Sequence, residues 1–468
     1  MAMADTTVGL SLLFLLIAQI VSLLFSSHTA FARTTPSASK PSRITAKLIH
    51  RNSILSPYYK PNATVWELNQ EALHRSHARV QHIQQIRRIF NNGASILDND
   101  TMSMGLIADK IGTLFLAKLS IGQPPVPQLL DVDTGSSLTW IRCVPCNGCS
   151  KQDVPMFDPS KSSSYAATTC TKGSSNVCGD SAGTCSEAGN CKFVVSYADG
   201  TRVEGIIASE TMILETTDEG QAPVHINVLG CANINDGVTD NQESGLLGLG
   251  TEKYSVLKQL GGKFSHCFGD MHNPNYEYNM LVFGDGAIFE GDVTPIDTHL
   301  GYYFVILEGI SVGEEKLDID PSIFKLQSDG DGGVMVDSGT TYTSMVKGAY
   351  DVLRQKVQSL LDQFLNGPTK YPTFPDLLCY KGQVDRDLSG FPAVALHLAQ
   401  GADIVLDTHS MFVQMEEGTL CMAVEPADKN AEELTVIGGL ALQSYNVGYD
   451  IDGGKMHVQR IDCQLLQS

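Results

Sequence analysis

The sequence predicts an all-β body made of two related halves, and three observations support this prediction. From Gly105 onward, short runs of β-forming residues alternate with turn clusters, and the chain holds 43 glycines. The motif Asp133-Thr-Gly-Ser-Ser-Leu-Thr returns 204 residues later as Asp337-Ser-Gly-Thr-Thr-Tyr-Thr. About a hundred residues after each copy come two apolar residues and a glycine, Leu246-Leu247-Gly248 and Val436-Ile437-Gly438. A motif repeated together with its partner indicates a duplicated structural unit.

The body is expected to contain many strands and few helices. Helical patterns are confined to Ser255–Leu260 and Lys347–Leu365. The predicted strands are the β-rich runs at 112–121, 129–132, 192–197, 225–229, 302–310, 333–336, 404–406 and 446–449.

The N-terminus has the pattern of a secretory signal peptide over residues 1–32. An apolar run from Val8 to Phe25 is followed by Ala30-Phe31-Ala32, an A-x-A cleavage pattern. The n-region lacks Lys and Arg, so a retained signal anchor is the alternative. No later stretch reaches membrane-spanning length, so no span is expected after cleavage.

Charge divides the remaining chain into a basic leader and an acidic body. Residues 33–104 carry ten Lys/Arg and four Asp/Glu, whereas residues 105–468 carry 22 Lys/Arg and 47 Asp/Glu. The acidic balance argues against nucleic-acid binding. Charge separates a leader at 33–104 from the body, and the repeat divides the body into an N-terminal lobe at 105–290 and a C-terminal lobe at 291–468. Two readings stay open: both charged surfaces are merely solvated, or the leader neutralises a carboxylate site on the body.

The leader divides into three parts by composition. Residues 33–60 are rich in Ser, Pro, Lys and Arg and are predicted to be loop, whereas Trp66–Phe90 has helical spacing without Gly or Pro. Its histidines are expected to be solvated rather than metal-ligating, because no Cys or carboxylate completes a ligand set. The polar stretch 91–103 is the predicted link to the body. The sequons at Asn62 and Asn99 place N-glycosylation on the leader.

All twelve cysteines follow residue 142, and seven of them lie in a loop-rich insertion at 143–191. An even number of cysteines after a signal peptide predicts six disulfides. The Cys143-x-x-Cys146-x-x-Cys149 spacing is also compatible with zinc, but an oxidising compartment favours disulfides. No metal or organic cofactor is expected, because water would be the nucleophile at the candidate site described next.

Asp133 and Asp337 are the candidate catalytic residues. Two facing carboxylates cannot both ionise, so they share one proton, and the pair can activate water as a base and protonate a leaving amine as an acid. Gly135 and Gly339 let a backbone approach the pair. The alternative is a pair of ordinary Asx turns after strands, which the joint repeat disfavours.

Hydroxyl residues follow each aspartate. Thr134 and Ser338 are predicted to hydrogen-bond across the interface of the halves, and Ser136 and Thr340 to donate to the outer carboxylate oxygens. Asp131 lies two residues before Asp133, so either it faces the same side and shifts the titration of the pair, or it is a surface residue.

These residues resemble the pepsin-like aspartic proteases, and within them the plant nepenthesin-type and nucellin-like group. The similarity covers nearly the whole chain. The motifs that carry it are Leu48-Ile-His-Arg51, Ser56-Pro-Tyr58, Asp133-Thr-Gly-Ser136, Trp140, the run 244–250, Phe264-Ser-His-Cys267, the run 307–313, Asp337-Ser-Gly-Thr340 and Val447-Gly-Tyr-Asp450.

The resemblance implies a bilobal fold with a cleft between the lobes and a mobile flap over it. It also makes the leader, residues 33–104, a prosegment that covers the cleft and leaves at acid pH. Tyr197 would be the flap tyrosine, supported by the indole of Trp140, with Asp199, Gly200 and Thr201 covering bound peptide. Charges at Arg202 and Glu204, after the flap, depart from the pattern expected near the cleft. The disulfides implied by the group are Cys143–Cys146, Cys149–Cys231, Cys170–Cys191, Cys178–Cys185, Cys267–Cys463 and Cys379–Cys421.

The function implied is that of a secreted, monomeric aspartic endopeptidase made as a zymogen and active at acid pH. Its partners would be polypeptide substrates and pepstatin-type inhibitors, and its location extracellular, in the apoplast. Both aspartate triplets and Tyr197 are present. The alternative from another class is a catalytically inactive pepsin-fold inhibitor or binding protein, which shares the fold but usually lacks a dyad residue.

Overall fold

The computed structural model describes residues 43–91, 113–170, 185–196, 202–236, 243–298, 301–328, 330–427 and 434–467. Several predictions lie outside these residues. They are the signal peptide, the link at 92–103, the sequon at Asn99 and the flap residues Tyr197, Asp199, Gly200 and Thr201.

Strands are the main regular secondary structure of the described residues and helices are few, which confirms the predicted fold class. Up to residue 297 the strands are β1 (Ile44–His50), β2 (Phe115–Ile121), β3 (Val126–Asp133), β4 (Trp140–Asn147), β5 (Ala166–Ala167), β6 (Lys192–Ser196), β7 (Arg202–Thr216), β8 (Gln221–Asp236), β9 (Gly245–Gly248), β10 (Lys263–Phe268), β11 (Met280–Phe283) and β12 (Asp292–Asp297). After it they are β13 (Phe304–Val305), β14 (Leu307–Val312), β15 (Glu315–Lys316), β16 (Val334–Asp337), β17 (Thr343–Met345), β18 (Pro368–Thr369), β19 (Cys379–Lys381), β20 (Val394–Leu398), β21 (Asp403–Leu406), β22 (Phe412–Glu416), β23 (Thr419–Met422), β24 (Val424–Pro426), β25 (Thr435–Gly438), β26 (Tyr445–Asp450) and β27 (Lys455–Arg460).

Nineteen of these strands belong to one mixed sheet, and eight form two four-stranded antiparallel sheets. The helices are α1 (Val65–Asn91), α2 (Val256–Gln259), α3 (Lys347–Leu361), α4 (Val384–Asp387) and α5 (Thr408–Met411). The three helical patterns predicted from periodicity correspond to α1, α2 and α3. None of the described helices is both long enough and apolar enough to span a bilayer.

The repeated motif forms the same structure twice. Strand β3 ends at Asp133 and pairs in parallel with β9, where Asp133 lies opposite Gly248. Strand β16 ends at Asp337 and pairs in parallel with β25, where Asp337 lies opposite Gly438. A Cβ on Gly248 would lie 2.8 Å from Ser136 O, and one on Gly438 would lie 2.7 Å from Thr341 O. The glycines are needed because the loop after each aspartate packs directly on the backbone of the partner strand.

The leader contributes a strand, so the prediction of loop over residues 33–60 is wrong for residues 44–50. Strand β1 pairs with β2, β7 and β11 and is therefore an interior strand of the large sheet. Its residues Ala46 and Leu48 are buried in the main hydrophobic core. The loop prediction failed because Ser, Pro, Lys and Arg dominate the composition of residues 33–60, and this composition hid the short β-forming run Ile44–His50.

Helix α1 is the second regular element among the described residues of the leader. Thr64 and Glu67 form a capping box at its start, since Thr64 N donates to Glu67 Oε2 at 2.7 Å and Glu67 N donates to Thr64 Oγ1 at 3.3 Å. Residues Leu73, Val80 and Ile83 are buried and lie on one face of the helix because they recur at helical spacing. That face packs against the body and is shielded from solvent.

Five disulfides lie between described cysteines. Cys267–Cys463 and Cys379–Cys421 match the pairing implied by the family resemblance. The structure forms Cys143–Cys231, Cys146–Cys149 and Cys170–Cys185. The other implied pairs are therefore wrong, namely Cys143–Cys146, Cys149–Cys231, Cys170–Cys191 and Cys178–Cys185. Cys143 pairs with Cys231 because of strand pairing: Cys143 lies on β4, Cys231 lies on β8, and these two strands pair in parallel. The Cα atoms of the two cysteines are 5.5 Å apart, a distance that a disulfide spans.

Candidate active site

The two aspartates lie together in the interior of the leader-bound protein. Asp133 is 0 % exposed and Asp337 is 1 % exposed. In each loop a backbone N–H folds back onto the carboxylate: Gly135 N donates to Asp133 Oδ1 at 2.9 Å, and Gly339 N donates to Asp337 Oδ1 at 3.1 Å. Each loop therefore fixes its own carboxylate through the residue two positions later.

The two loops are also bonded to each other. Thr134 Oγ1 donates to Asp337 Oδ1 at 3.3 Å and accepts from Ser338 N at 3.1 Å. Ser338 Oγ adds a bond to the same threonine hydroxyl at 3.2 Å. Thr134 and Ser338 thus lie where the sequence placed them, and this network sets the relative position of the two carboxylates.

A guanidinium group from the leader lies between the carboxylates. Arg79 of α1 donates from Nη2 to Asp133 Oδ1 at 2.5 Å and to Asp337 Oδ1 at 2.8 Å, and from Nε to Asp337 Oδ2 at 2.5 Å. The arginine side chain is 2 % exposed. Cβ atoms on Gly135 and Gly339 would lie 2.8 Å and 2.4 Å from its guanidinium, so both glycines are needed to admit it. Water cannot occupy the same position while Arg79 is there.

The surroundings push the pKa values of the two aspartates in opposite directions. Burial raises the pKa of Asp133, and the charge of Asp337 adds to this effect, against the lowering effect of Arg79. The pKa of Asp337 is lowered, because Arg79 and hydrogen bonds from Thr340 and Gly339 outweigh its burial. Of these, Thr340 Oγ1 donates to Asp337 Oδ2 at 2.5 Å.

Ser136 lies at the position equivalent to Thr340 and is also buried. Its hydroxyl lowers the pKa of Asp133 but makes no well-aligned hydrogen bond within the described residues. The two hydroxyls predicted to play equal parts therefore differ.

Asp131 is a buried neighbour of the pair, and the alternative of a surface position is wrong. Its Oδ1 accepts from Thr113 Oγ1 at 3.1 Å and from Arg51 Nη2 at 3.5 Å. Burial raises the pKa of Asp131, and Arg51 opposes this. The Arg51 guanidinium also lies 3.7 Å from the ring centroid of Tyr58. The leader thus has a second buried cation next to a body carboxylate.

Other hydrogen bonds join the leader to the body on either side of Arg79. Ser76 Oγ accepts from the backbone N–H groups of Thr341 and Tyr342, both at 3.0 Å. Arg87 Nη2 donates to Gly332 O at 2.6 Å and also to Gly330 O. These contacts lie in the loops immediately after and before β16, so α1 is bound around the strand that carries Asp337.

An apolar surface lies beside Asp337 where α1 docks. Val80 and Ile83 of the helix pack in one cluster with Tyr302, Phe304, Met335, Ala427, Leu434 and Val436. Met335 precedes Asp337 by two residues on β16 and pairs with Phe304 and Val436 on the adjacent strands. The carboxylate therefore has an apolar wall on its own strand and on both neighbours.

Sequence reasoning did not single out Arg79 or Ser76. The basic leader was considered as a neutralising segment, but no particular cation was assigned. A usable signal exists: Ser76 and Arg79 lie among Leu73, Val80 and Ile83 at helical spacing, so two polar residues interrupt the apolar face.

Of the other predicted residues, Trp140 is 5 % exposed, and its indole N–H has no acceptor among the described residues. Arg202 and Glu204 form an ion pair with each other at 2.7 Å.

These features define the class: a pepsin-like fold with an aspartate pair between two related halves. The family model called xylanase inhibitor N-terminal matches residues 115–285, and the model called xylanase inhibitor C-terminal matches residues 302–459. A probable aspartic protease of Arabidopsis thaliana is 30% identical, over 92% of this chain and 96% of its own length. Nepenthesin-1 of Nepenthes gracilis is 29% identical, over 86% of this chain and 87% of its own.

The chain belongs to the plant pepsin-like aspartic protease family, of the nepenthesin type. Among solved structures it is similar to the basic 7S globulin of soybean, with a TM-score of 0.57 and 18% identity over 73% of this chain and 91% of that one. The γ-conglutin of lupine seeds gives a TM-score of 0.56 and 17% identity over 77% and 95%. At these identities the similarity shows the fold alone.

Proposed function

We propose that this protein is a secreted aspartic endopeptidase made as a zymogen, in which Asp133 and Asp337 hydrolyse peptide bonds at acid pH. The observation that carries the proposal is the carboxylate pair itself, held by two matched loops and occupied by a cation from the leader. Membership of a protease family supports it.

Once Arg79 has left, a water molecule takes its place between the carboxylates. The pair then holds one proton, because two carboxylates this close cannot both ionise. The ionised member removes a proton from the water as it attacks the scissile carbonyl, and the protonated member polarises the carbonyl oxygen and then protonates the leaving amine. Without Arg79, Asp337 still accepts hydrogen bonds from Thr134, Thr340 and Gly339, whereas Asp133 accepts one from Gly135. Hydrogen bonds to a carboxylate stabilise its charged form, which favours Asp337 as the ionised member and Asp133 as the protonated one.

Acid pH would release the leader by protonating the carboxylates that bind Arg79. Asp133, whose pKa is raised, takes up its proton first, and one of the two anions beside Arg79 is lost. Asp337, whose pKa is lowered, holds Arg79 until the pH falls through its depressed pKa. The leader is thus bound most tightly above the ordinary carboxylate range and is lost as the pH falls below it.

The substrate would be an unfolded polypeptide in extended form. The apolar wall where Val80 and Ile83 pack would take an aliphatic or aromatic side chain next to the scissile bond. Pepstatin-type inhibitors would compete for the same cleft. Secretion into the apoplast and a monomeric state are part of the proposal, as is glycosylation of the leader at Asn62, which is exposed.

An inactive pepsin-fold inhibitor or binding protein is the second candidate. The matched family models are called xylanase inhibitor, which favours it. Against it, the loops of this chain keep both aspartates and the hydroxyls and glycines around them. Nothing in a binding role requires a buried arginine across two carboxylates.

The two candidates are separated by peptidase activity. The secreted protein is acid-treated and incubated with a denatured protein from pH 2 to pH 7, beside an Asp133→Asn variant and with pepstatin. Acid-favoured cleavage that the variant loses and pepstatin blocks is the expected result. A folded, processed protein that cleaves nothing at any pH would leave the binding protein as the better account.

A further inference from the structure

The motif Leu48-Ile-His-Arg51 places a histidine in the seam between the leader and the body. His50 is the last residue of β1 and lies opposite Phe115 of β2 in the large sheet. The centroids of the two rings are 5.2 Å apart, and His50 is 8% exposed. Phe115 in turn stacks on Phe268, with centroids 4.1 Å apart. The docked leader therefore buries this imidazole on an aromatic wall that belongs to the body.

Two arginines of the leader act on this imidazole. Arg51 follows it in the chain and is itself buried, with its guanidinium over the ring of Tyr58. Arg75 of α1 approaches from the helix, and its side chain is 14% exposed. Burial, with the charge of Arg51 added, lowers the pKa of Arg75 to about 10, so this region is already unfavourable for a further cation.

Two carboxylates of the seam are bound to those same arginines. Asp131 of β3 accepts a hydrogen bond from Arg51, and a carboxylate oxygen of Glu71 in α1 lies 3.9 Å from Arg75. A proton on His50 would therefore add a third positive charge beside two arginines whose carboxylate partners are already engaged.

The body faces His50 with a histidine and an aspartate from the turn after β10. The backbone N–H of His272 donates to Asp270 Oδ1 at 2.9 Å, and its ring nitrogen Nδ1 lies 3.7 Å from the same oxygen. The ring centroid of His409, on α5, is 5.9 Å from that of His272. Asp270 favours a charged His50, but it is shared with His272, which becomes a cation itself when protonated.

These surroundings tie docking of the leader to the protonation state of His50. Burial is the largest effect, the nearby cations add to it and Asp270 opposes it, so that the pKa of His50 falls from 6.5 to about 3. When β1 leaves the sheet the ring enters water and regains an ordinary pKa near 6.5. The released strand then binds a proton that the docked strand does not, so docking is strongest above pH 6.5 and weakens as the pH falls from there towards 3.

We propose that His50 is an acid sensor of the leader, whose protonation loosens strand β1 from the sheet at a pH at which Asp337 still holds Arg79. Its role as a trigger of activation rests on the proposed function, whereas the coupling between His50 and docking does not. Asp337 keeps its charge through the upper part of this pH range, because its pKa is lowered. Acid would thus act first on β1 and only then on the contact of α1 with the dyad.

The test is amide hydrogen exchange of the intact proprotein, read separately at β1 and α1 between pH 7 and pH 4.5. After correction for intrinsic exchange, protection of β1 should fall about 70-fold more in wild type than in a His50→Phe variant, because phenylalanine keeps the aromatic contact and binds no proton. Amides of α1 around Arg79 should stay protected over the same range. Equal losses at β1 in the two proteins, or loss at α1 before β1, would overturn the proposal.

A His74→Gln variant is the matched control, because His74 also belongs to the leader but is exposed. It should keep the wild-type pH dependence at β1. A His50→Gln variant separates the proton from the ring: it should show the weak pH dependence of His50→Phe, and a wild-type dependence in it would reject the sensor.

The protonation state of His50 can also be observed directly. Its imidazole C–H resonance in the proprotein, assigned by its absence from His50→Phe, should stay at the neutral position down to the pH at which β1 opens. A resonance that titrates near pH 6.5 while β1 remains protected would contradict the proposal without relying on any variant's stability.

Activation separates failure of the sensor from failure of the catalytic proposal. The pH at which half of the proprotein becomes active on a quenched peptide should be lower in His50→Phe than in wild type and unchanged in His74→Gln. If exchange at β1 follows His50 but the acid-treated protein cleaves nothing, the sensor stands and the enzyme proposal fails. If the protein cleaves peptides but exchange at β1 ignores His50, the enzyme proposal stands and the sensor is rejected.

Discussion

The two aspartate loops share a sequence pattern and a backbone course, but the two carboxylates have different surroundings. Asp337 accepts hydrogen bonds from Gly339, Thr134, Thr340 and twice from Arg79. Asp133 accepts from Gly135 and from Arg79. The pKa of Asp337 is lowered and that of Asp133 is raised. A duplicated loop therefore supplies position, while unequal contacts with Arg79 and with neighbouring hydroxyls make the two carboxylates differ in acidity in the leader-bound state.

The largest expected effect comes from removing either carboxylate. Asp133→Asn and Asp337→Asn should each lower kcat of the acid-treated protein by about 1000-fold or more, since each variant loses one half of the acid–base pair. Cleavage of a quenched peptide, with circular dichroism as the folding control, measures this. Activity retained in either folded variant would remove that residue from the mechanism.

A smaller effect should separate the two hydroxyls. Thr340→Val removes a donor to Asp337 and should raise the lower apparent pKa of the pair by about one unit, which costs about tenfold in kcat/KM on the acid limb. The acid limb moves to higher pH because the base must be ionised. Ser136→Ala should shift the profile less, as its hydroxyl makes no well-aligned bond to Asp133. Equal shifts in the two pH profiles would contradict the asymmetry.

The contact between the loops should affect stability. Thr134→Val removes the bonds to Asp337 and Ser338 and leaves a buried N–H without an acceptor, so the free energy of unfolding should fall by about 2 kcal/mol. Ser338→Ala loses only the hydroxyl bond and should cost about 1 kcal/mol. Urea denaturation of the two variants measures the difference, and a costlier serine change would mean that the network is centred on Ser338.

Much of this site could be predicted from sequence because it depends on a local, repeated signal. Asp133 and Asp337 each end a strand-like run and recur with the same partner motifs, at 246–248 and 436–438, so a duplicated loop could be inferred. Helix α1 was also predictable, because its spacing is regular over seven turns. Neither prediction required knowledge of a distant contact.

The features that were missed depend on long-range geometry. Cys143, Cys146 and Cys149 are spaced so that each can reach several partners, and only the pairing of β4 with β8 selects Cys231 for Cys143. Strand β1 is short, and its neighbours in the sheet lie far along the chain, at β7 and β11. Arg79 is one of several cations on α1, and helical spacing alone does not tell which of them reaches a carboxylate 54 residues away.

The central claim is that Arg79 holds an otherwise competent dyad inactive, and its most direct test is activity of the full-length protein carrying Arg79→Gln. The intact proprotein, its length checked by mass spectrometry, is assayed with a quenched peptide at pH 5 to 6, beside wild type and Arg79→Lys. Glutamine cannot neutralise two carboxylates, so this proprotein should cleave the peptide, while wild type and the lysine variant, which keep a cation, should be at least about tenfold slower. An Arg79→Gln proprotein as silent as wild type, from a preparation whose acid-treated form is active, would contradict the account.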